Sequence, residues 1–315
     1  MKAAVLEKIG ASTKFKIKEL PSPSIGPGQL LVRNYASSVN PVDLILLRGK
    51  SILTAAGISN QCLGNDFCGK VIASKSRLFK AGDEVFGMVP VLKGGMYAEE
   101  VAVEDRYAML KPANFTYEEA GVVPLVGLTA YQGLFTLGRL KSQDNVLIIG
   151  CTGGVGSAAV QLARNVDAHI TGVCSEKHRL YANSIGCDVV VDYRRQKVPS
   201  GAKFDLIFDA AGKYTISQLQ HYLSDKGLFV STRGEVDNLK GMVKTTVDLL
   251  LENRMKLVMV KPNAKHLHHL QLKMEQGQLR LPVAHTFSLG QLDEAHDMMR
   301  KGGFVGKIGI KISLT

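Results

Sequence analysis

The stretch NVLIIGCTGGVGSAAVQLARN, from Asn145 to Asn165, decides the fold of this chain. A short apolar run leads straight into a glycine-rich turn, and a helical pattern follows the turn. The apolar side chains after the turn recur at helical spacing, namely at Val155, Ala158, Ala159, Leu162 and Ala163. This order predicts a strand, a tight turn and an amphipathic helix, which is the repeating unit of parallel α/β sheets.

The glycines of the turn stand three residues apart, at Gly150, Gly153 and Gly156, with Gly154 in addition. Glycine permits positive φ and lets backbone N–H groups approach a diphosphate, and the helix N-terminus adds partial positive charge. No Gly-Lys-Ser/Thr follows at P-loop spacing, which excludes that nucleotide site. A glycine turn that binds nothing is the alternative, but the strand before it and the helix after it favour a dinucleotide site.

The length and composition predict two domains of a water-soluble protein. The chain has 315 residues, and no apolar run approaches the ~20 residues of a membrane helix, so no membrane span is expected. The N-terminal MKAAVLEKIG lacks the apolar core of a signal peptide and is predicted to form a strand. The five cysteines form no CxxC pair, and their odd number argues against a disulfide framework, so we expect a reducing cytoplasmic location.

The formal charge of +11 raises the question of nucleic-acid binding. The basic residues are scattered among acidic ones, tryptophan is absent, and no run resembles a basic arm. A solvated basic surface explains the charge better, and we expect no nucleic-acid partner.

The two ends of the chain differ in pattern from its centre. Residues 1 to about 118 carry short β-like runs punctuated by Pro, Gly and Ser, typical of a small antiparallel barrel or sandwich. From Ala120 strands alternate with helical segments, including helices predicted over 177–186 and 215–227 that end at Gly186 and Gly227. We therefore predict a β domain over 1–119, a parallel βαβ domain over 120–262 and a return segment over 263–315.

The residues after the strand HITGVC (169–174) bear on the choice of dinucleotide. An NAD site usually has an acid there, whereas Cys174 and Ser175 occupy the place here. Basic side chains follow at Lys177 and Arg179 and are suited to a 2′-phosphate. Ser175 and Tyr193 are predicted to flank that phosphate. These residues favour NADPH, although Glu176 is able to compete for a ribose hydroxyl.

Several further motifs carry a resemblance to a known family. They are SSVNPVDLILLRG (37–49), LGNDFCGKVI (63–72), PLVGLTAYQGL (124–134), GVCSEKHRLYANSIGCDVVVDY (172–193) and GKIGIKI (306–312). Through them the chain resembles the zinc-independent medium-chain dehydrogenases/reductases of the quinone oxidoreductase (zeta-crystallin-like) branch. The resemblance implies an α/β fold, in which a GroES-like β-barrel catalytic domain is interrupted by a Rossmann doubly wound parallel-sheet domain, with the nicotinamide held in the cleft between them.

The same resemblance bears on zinc. The first cysteine ligand of the zinc-dependent relatives aligns with Asn40, and their Gly-His-Glu aligns with Gly64-Asn65-Asp66. The remaining cysteine position falls near Leu125, so a tetrahedral zinc site is not expected. KHLHHL (265–270) is the other candidate for a metal site, but a solvated helix explains its histidines better.

By resemblance, Asn40 is a candidate donor to the nicotinamide or the substrate, and Thr129 lies near the nicotinamide. The other implied cofactor contacts are Thr152, Gly153, Gly154 and Val155 around the diphosphate, Ala211 and Val260 along the groove, and Phe304, Gly306 and Lys307 in a closing loop. Ile45 and Leu46 are expected to line an apolar substrate pocket, with Ile45 standing where quinone reductases often have Tyr. Asp43 is expected to be a structural hydrogen-bond acceptor. A second departure is Arg233, where the family commonly has Gly.

These features together predict an NADPH-dependent reductase that transfers hydride, without metal, to a quinone, an enone or an alkenal. A stand-alone enoyl-thioester reductase and a non-catalytic NADPH-binding protein remain the alternatives. The family also suggests a homodimer, in which the strand KLVMVK (256–261) pairs with its copy, although a covered inner strand is equally consistent with that segment.

Overall fold

The computed structural model of the chain describes residues 1–7, 14–47, 63–195, 198–233 and 253–312. The chain divides into two compact units. Unit 1 comprises Met1–Leu125, Lys261–Gly277 and Leu281–Thr315, and unit 2 comprises Val126–Val260 and Gln278–Arg280. The main changes of unit therefore fall at 125/126 and 260/261, where the sequence predicted boundaries at 119/120 and 262/263.

The described residues form the following elements in chain order. The strands are β1 Lys2–Leu6, β2 Phe15–Glu19, β3 Gln29–Val39, β4 Asp66–Ser74, β5 Glu84–Met88, β6 Glu100–Glu104, β7 Ala108–Leu110, β8 Asn145–Ile149, β9 His169–Cys174, β10 Val189–Asp192, β11 Phe204–Asp209, β12 Leu223–Ser231, β13 Met255–Leu257, β14 Val283–Ser288 and β15 Lys307–Lys311. The α-helices are α1 Pro41–Leu47, α2 Tyr117–Gly121, α3 Pro124–Tyr131, α4 Gly154–Arg164, α5 Arg179–Ser184, α6 Ile216–Leu219, α7 Ala264–Glu275 and α8 Leu292–Lys301. A π-helix spans Gln132–Leu137, and 3₁₀ turns span Asp105–Tyr107, Glu176–His178, Gln220–Tyr222 and Leu289–Gln291.

Unit 1 is built on a mostly antiparallel sheet. Its strands lie in the order β14-β15-β3-β4-β5-β7, with β6 also paired to β3 and with β1 and β2 in a separate two-stranded ribbon. Pro, Gly and Ser punctuation among short strands is typical of such a sheet. The return segment supplies β14 and β15, and β15 pairs with β3 through Ile308 and Val39. This pairing joins the C-terminal part of the chain to the N-terminal part.

Unit 2 contains a six-stranded parallel sheet in the order β10-β9-β8-β11-β12-β13. In chain order this is 3-2-1-4-5-6, the doubly wound order that binds dinucleotides at its switch point. The predicted amphipathic helix forms as α4 and buries its stripe, apart from half-buried Val155. The sequence-based prediction of a doubly wound parallel sheet is confirmed.

One predicted helix is wrong in its second half. The helix expected over 215–227 stops at Leu219, and β12 begins at Leu223 after a 3₁₀ turn. Leu223 pairs with Phe204 of β11, and a Cβ on Gly227 would come within 2.5 Å of the Phe204 carbonyl oxygen. Because strand pairing requires this close approach, Gly227 lies in a strand, whereas Gly186 ends its helical segment at φ +115° as predicted.

The cores of the two units are separate apolar clusters. Unit 1 has one cluster around α1, α8 and β15 and another inside the sheet around Phe67, while unit 2 has a cluster against β8 and β11. Among the described residues, no helix combines the length and the apolar character needed to cross a membrane.

Candidate functional site

The glycine turn of unit 2 has the backbone that the sequence predicts. Gly150 adopts φ +77°, and a Cβ on Gly156 would lie 2.0 Å from the Gly150 carbonyl oxygen, so α4 packs directly against the end of β8. Gly153 is the N-cap of α4 with extended backbone. Gly153 and Gly154 carry no side chains at the start of α4, which leaves room for a diphosphate at the helix N-terminus.

Thr152 and the residues after β9 form the neighbouring edge of this turn. Thr152 is buried, and its Oγ1 lies 3.4 Å from Nδ1 of His178. Ser175 is also buried, whereas Lys177 is exposed. The turn and the end of β9 are tied together because the Gly150 and Cys151 amides both donate to the Val173 carbonyl.

Glu176 and Arg179 neutralise each other. Arg179 donates through Nε and Nη2 to the two carboxylate oxygens of Glu176, at 2.8 Å each, and through Nη1 to the Val190 carbonyl at 2.9 Å. The hydrogen bond from Arg179 lowers the pKa of Glu176. The carboxylate that could have competed for a ribose hydroxyl is therefore paired, and the predicted contact of Arg179 with a 2′-phosphate stays a prediction.

The far side of the turn is formed by the ends of β11 and β12. Ala211 is exposed, and its Cβ is 3.0 Å from where a Cβ on Gly150 would lie. Val260 is half-buried beyond the end of β13. Asp209 is buried, and it accepts hydrogen bonds from the Tyr214 amide at 2.8 Å and the Ser231 hydroxyl at 3.3 Å. It fixes the loop that carries Ala211, a role that the sequence prediction missed.

A small cavity of about 170 Å³ opens beside Tyr193 in unit 2. Tyr193 is half-exposed, and the Arg194 guanidinium lies 5.6 Å from its ring centre. The cavity is lined by apolar residues and three tyrosines: Leu147, Ile149, Val173, Val191, Tyr193, Val198, Tyr214, Leu219 and Tyr222. Its volume is below the ~300 Å³ at which pockets for whole ligands begin, so it holds at most part of a ligand.

Unit 1 contains a buried polar network around Lys307. Its ammonium donates to Asn40 Oδ1 and to the Val39 carbonyl, at 2.6 Å each. Asn40 Nδ2 donates in turn to Asp66 Oδ2 at 2.8 Å, and the Ser38 hydroxyl donates to the same oxygen at 2.6 Å. Both polar atoms of the Asn40 side chain therefore have partners inside unit 1.

Burial controls the ionisation of this network. It raises the pKa of Asp66 although Lys307 opposes the shift, and it lowers the pKa of Lys307 to about 8 although Asp66 and Asp43 oppose it. Asp43 accepts from the Asn40 amide at 2.8 Å and from the Tyr97 hydroxyl at 3.0 Å, as expected of a structural acceptor. The network holds the start of α1 against β4 and β15.

Two family models match two separate stretches of the chain. The model described as alcohol dehydrogenase GroES-like domain matches residues 26–113, and the model described as zinc-binding dehydrogenase matches residues 185–308. The chain belongs to the medium-chain dehydrogenase/reductase family. Its fold is therefore a GroES-like domain combined with a Rossmann-type parallel sheet, as predicted.

Full-length relatives of this medium-chain dehydrogenase/reductase carry oxidoreductase names. The chain is 29% identical to the chloroplastic quinone-oxidoreductase QR1 of Triphysaria versicolor, and the match covers 96% of this chain and 95% of the relative. It is 28% identical to the mitochondrial NAD(P)H oxidoreductase RTN4IP1 of Danio rerio, covering 99% and 91%. The solved quinone oxidoreductase of Coxiella burnetii matches with a TM-score of 0.88 at 25% identity, covering 99% of each chain. Because the two curated relatives are organellar, the cytoplasmic location stays a prediction.

Two positions that the resemblance aligns with zinc ligands, Asn40 and Asp66, form hydrogen bonds within unit 1, and the absence of zinc stays a prediction. Asn40 and Asp66 are hydrogen-bonded to each other, and the Lys307 ammonium already supplies a positive charge beside them. In the part of the chain that the structure describes, no group of three or more His, Cys, Asp and Glu side chains could hold a metal ion. The predicted helix over KHLHHL forms as α7.

The remaining predicted residues are distributed over both units. Thr129 is buried on α3, Leu46 packs in the core of unit 1, and Ile45 is half-buried. Gly306 adopts φ +77° and approaches Pro282, while Phe304 packs partly on the unit 1 core. Lys307 was expected in a closing loop, but it begins β15 and is only 2% exposed. Pairing of β15 with β3 buries it, so its predicted contact with the nicotinamide stays a prediction.

Proposed function

We propose that the chain is an NADPH-dependent reductase that delivers hydride to a quinone or to the C=C bond of an α,β-unsaturated carbonyl without a metal. The glycine turn carries this proposal, because its close backbone approach suits a diphosphate. The name quinone oxidoreductase on a relative that matches nearly the whole chain supports a quinone-type acceptor. The name NAD(P)H oxidoreductase on another supports a nicotinamide cofactor.

The preference for NADPH over NADH rests on the end of β9. Ser175 replaces the acid that a ribose hydroxyl would need, and Glu176 is paired with Arg179. Exposed Lys177 lies in the same turn and would bind a 2′-phosphate as a point charge. The one carboxylate of the segment Ser175–Arg179 is that of Glu176, and its pairing with Arg179 offsets the charge that would repel the phosphate.

The catalytic contribution of unit 1 is positioning and charge rather than metal chemistry. NADPH, when bound, supplies the hydride that reduces an electron-poor carbon. Asn40 is proposed to lie beside the reacting end as a positioning residue, with its buried amide held by Lys307 and Asp66. The half-buried Ile45 offers no proton, so solvent is proposed to complete the reduction.

An acceptor panel tests the proposal. NADPH oxidation is followed spectrophotometrically with a quinone, an enone, an alkenal and an enoyl thioester at equal concentrations. We expect turnover with the quinone, the enone or the alkenal, and the slowest turnover with the thioester. A clear preference for the thioester would establish an enoyl-thioester reductase instead. Tight NADPH binding without oxidation by any acceptor would establish a binding protein.

We also propose a homodimer built on the edge strand of the unit 2 sheet. Among the described strands, β13 pairs with β12 and ends the sheet, which leaves its outer edge able to pair with a second copy. Light scattering coupled to chromatography should give twice the mass of one chain. A monomer mass at micromolar concentration would contradict the dimer.

A further inference from the structure

Three thiols converge beneath the glycine turn of unit 2. They form what we call the thiol cluster: Cys151 in the turn, Cys174 at the end of β9 and Cys187 after α5, all buried and unpaired. No proposed function of the turn uses them. Their placement depends on Gly172 of β9, where a Cβ would meet the sulfurs of Cys187 at 2.5 Å and of Cys151 at 2.8 Å. The absence of a side chain at Gly172 makes room for the cluster.

Cys151 and Cys174 are adjacent through backbone as well as side chain. The Cys151 amide donates to the carbonyl of Val173, the residue before Cys174. The Cys151 thiol influences the ionisation of Cys174, and its sulfur meets that of Cys187 at Gly172. The backbone contact at 3.2 Å keeps Cys151 and Cys174 close in space, as a disulfide requires.

The two thiols differ in reactivity. The hydrogen bond from Cys151 lowers the pKa of Cys174, and the Arg179 guanidinium acts in the same direction, against burial and the carboxylates of Asp192 and Glu176. Hydrogen bonding to Cys174 and Cys187, together with burial, raises the pKa of Cys151. Cys174 also precedes the exposed 3₁₀ turn Glu176–His178. Since the thiolate is the reactive form, Cys174 is the more reactive of these two buried thiols.

We propose that the thiol cluster is a redox modification site, at which hydrogen peroxide converts Cys151 and Cys174 into an internal disulfide. The Cys174 thiolate attacks one peroxide oxygen, the O–O bond breaks, and protonation of the departing hydroxide releases water and leaves a sulfenic acid. Cys151 then loses its proton, its sulfur attacks the sulfenic sulfur, and a second water leaves as the S–S bond forms. Two thiols are oxidised by two electrons, and one peroxide is reduced to two waters.

The disulfide would act directly on the proposed cofactor site, and this consequence rests on the proposed function. Cys151 precedes Thr152 of the diphosphate turn, and Cys174 precedes Ser175 of the 2′-phosphate edge. A disulfide holds its sulfurs at about 2.05 Å, closer than any hydrogen bond between thiols, so the two segments must shift toward each other. We expect the Kd for NADPH to rise by about tenfold on oxidation, and to recover with dithiothreitol.

Peptide mapping tests the disulfide without any nucleotide. Reduced protein is treated with equimolar hydrogen peroxide, alkylated, digested without reduction and analysed by mass spectrometry. We expect a cross-linked pair of peptides containing Cys151 and Cys174. The Cys187→Ala variant is the matched control within the cluster and should keep the cross-link, whereas Cys151→Ala should lose it. Alkylation of both residues as free thiols, or a cross-link that uses Cys187 instead, would overturn the proposal.

The NADPH titration is the second readout, performed on the same oxidised samples. A mapped disulfide with unchanged NADPH affinity would overturn the effect on the cofactor site while leaving the modification site in place. Failure of the reduced protein to bind NADPH would count against the proposed function alone. The wild type should lose affinity on oxidation, and Cys151→Ala should bind NADPH equally before and after peroxide.

Discussion

At the residue scale, Lys307 connects three separate segments of unit 1. It lies on β15, it donates to the end of β3 at Val39, and it orients Asn40 at the start of α1. Buried pairs of this kind contribute little net stability as a whole, but loss of one partner leaves the other charge buried and uncompensated. The geometry of Asn40 therefore depends on an ammonium more than 260 residues away in sequence.

Removal of the ammonium should destabilise the protein strongly. Lys307→Met should lower the free energy of unfolding by about 3–5 kcal/mol, because Asp66 is then buried without its cation. Adding Asp66→Asn to that variant should restore part of the loss. Urea unfolding measures both, with Lys311→Met on the half-exposed end of the same strand as the control, where we expect little change. A Lys307→Met protein as stable as the wild type would contradict the network.

Lys307 should also titrate near neutral pH. Burial lowers its pKa from 10.5 to about 8. The folded protein therefore binds this proton less tightly than the unfolded chain does. The free-energy cost of keeping Lys307 protonated in the folded state declines as the pH rises from about 8 to 10.5. Carbon-13 NMR of the lysine ε-carbons should show one inflection near pH 8 that is missing in Lys307→Met. If every lysine ε-carbon titrated near the ordinary lysine value, with no inflection near pH 8, the result would contradict the burial of the Lys307 charge.

Lys177 should decide between the two nicotinamide cofactors. Lys177→Ala should raise KM for NADPH by about tenfold and leave KM for NADH nearly unchanged, because only NADPH carries the 2′-phosphate. Steady-state kinetics with both cofactors measures the ratio. Lys226→Ala is the control, since Lys226 is exposed and lies near the beginning of β12, away from the strand ends that face the glycine turn. Equal effects of Lys177→Ala on both cofactors would contradict the assignment.

At the scale of elements, the turn between β8 and α4 separates a structural requirement from a binding requirement. Gly156 has no room for a Cβ, because one would lie 2.0 Å from the Gly150 carbonyl. Gly153 has room, since the nearest atom to its Cβ position is 3.6 Å away and its φ is −78°. Two neighbouring glycines of one motif therefore have different reasons to be glycine.

Alanine at Gly156 should affect stability, whereas alanine at Gly153 should affect NADPH binding. Gly156→Ala should lower the melting temperature markedly, because α4 must move away from β8. Gly153→Ala should leave the melting temperature nearly unchanged and weaken NADPH binding, since its side chain would enter the proposed diphosphate site. Thermal unfolding and NADPH titration give the two readouts. A stable Gly156→Ala protein would contradict the close packing of helix and strand.

The helices and strands show where the local sequence is sufficient to predict secondary structure and where it is not. Periodicity predicted α4 and a parallel sheet of alternating strands and helices, because both depend on apolar spacing and on short connections, and the family resemblance implied the doubly wound arrangement. The segment 223–227 was assigned to a helix because its local pattern continues that of α6, but pairing of Leu223 with Phe204 determines its structure. A contact between strands is not encoded in a local window.

At the scale of the whole molecule, the two units were predictable and their internal networks were not. The change from β runs to alternating strands and helices marks the units, and the motifs imply their folds. The burial of Lys307 and the meeting of the Cys151 and Cys187 sulfurs at Gly172 bring together residues from distant segments. Such contacts follow from the assembled sheets, so the resemblance placed Lys307 in a closing loop and no prediction placed the thiols together.

The central claim is metal-independent hydride delivery from NADPH. The most direct measurement is the steady-state oxidation of NADPH, and of NADH, by the fastest acceptor of the panel, using protein treated with a strong zinc chelator and checked for residual metal. The account predicts an unchanged rate after chelation and a kcat/KM for NADPH at least about tenfold above that for NADH. Loss of activity that returns on addition of zinc, or equal use of the two cofactors, would contradict it.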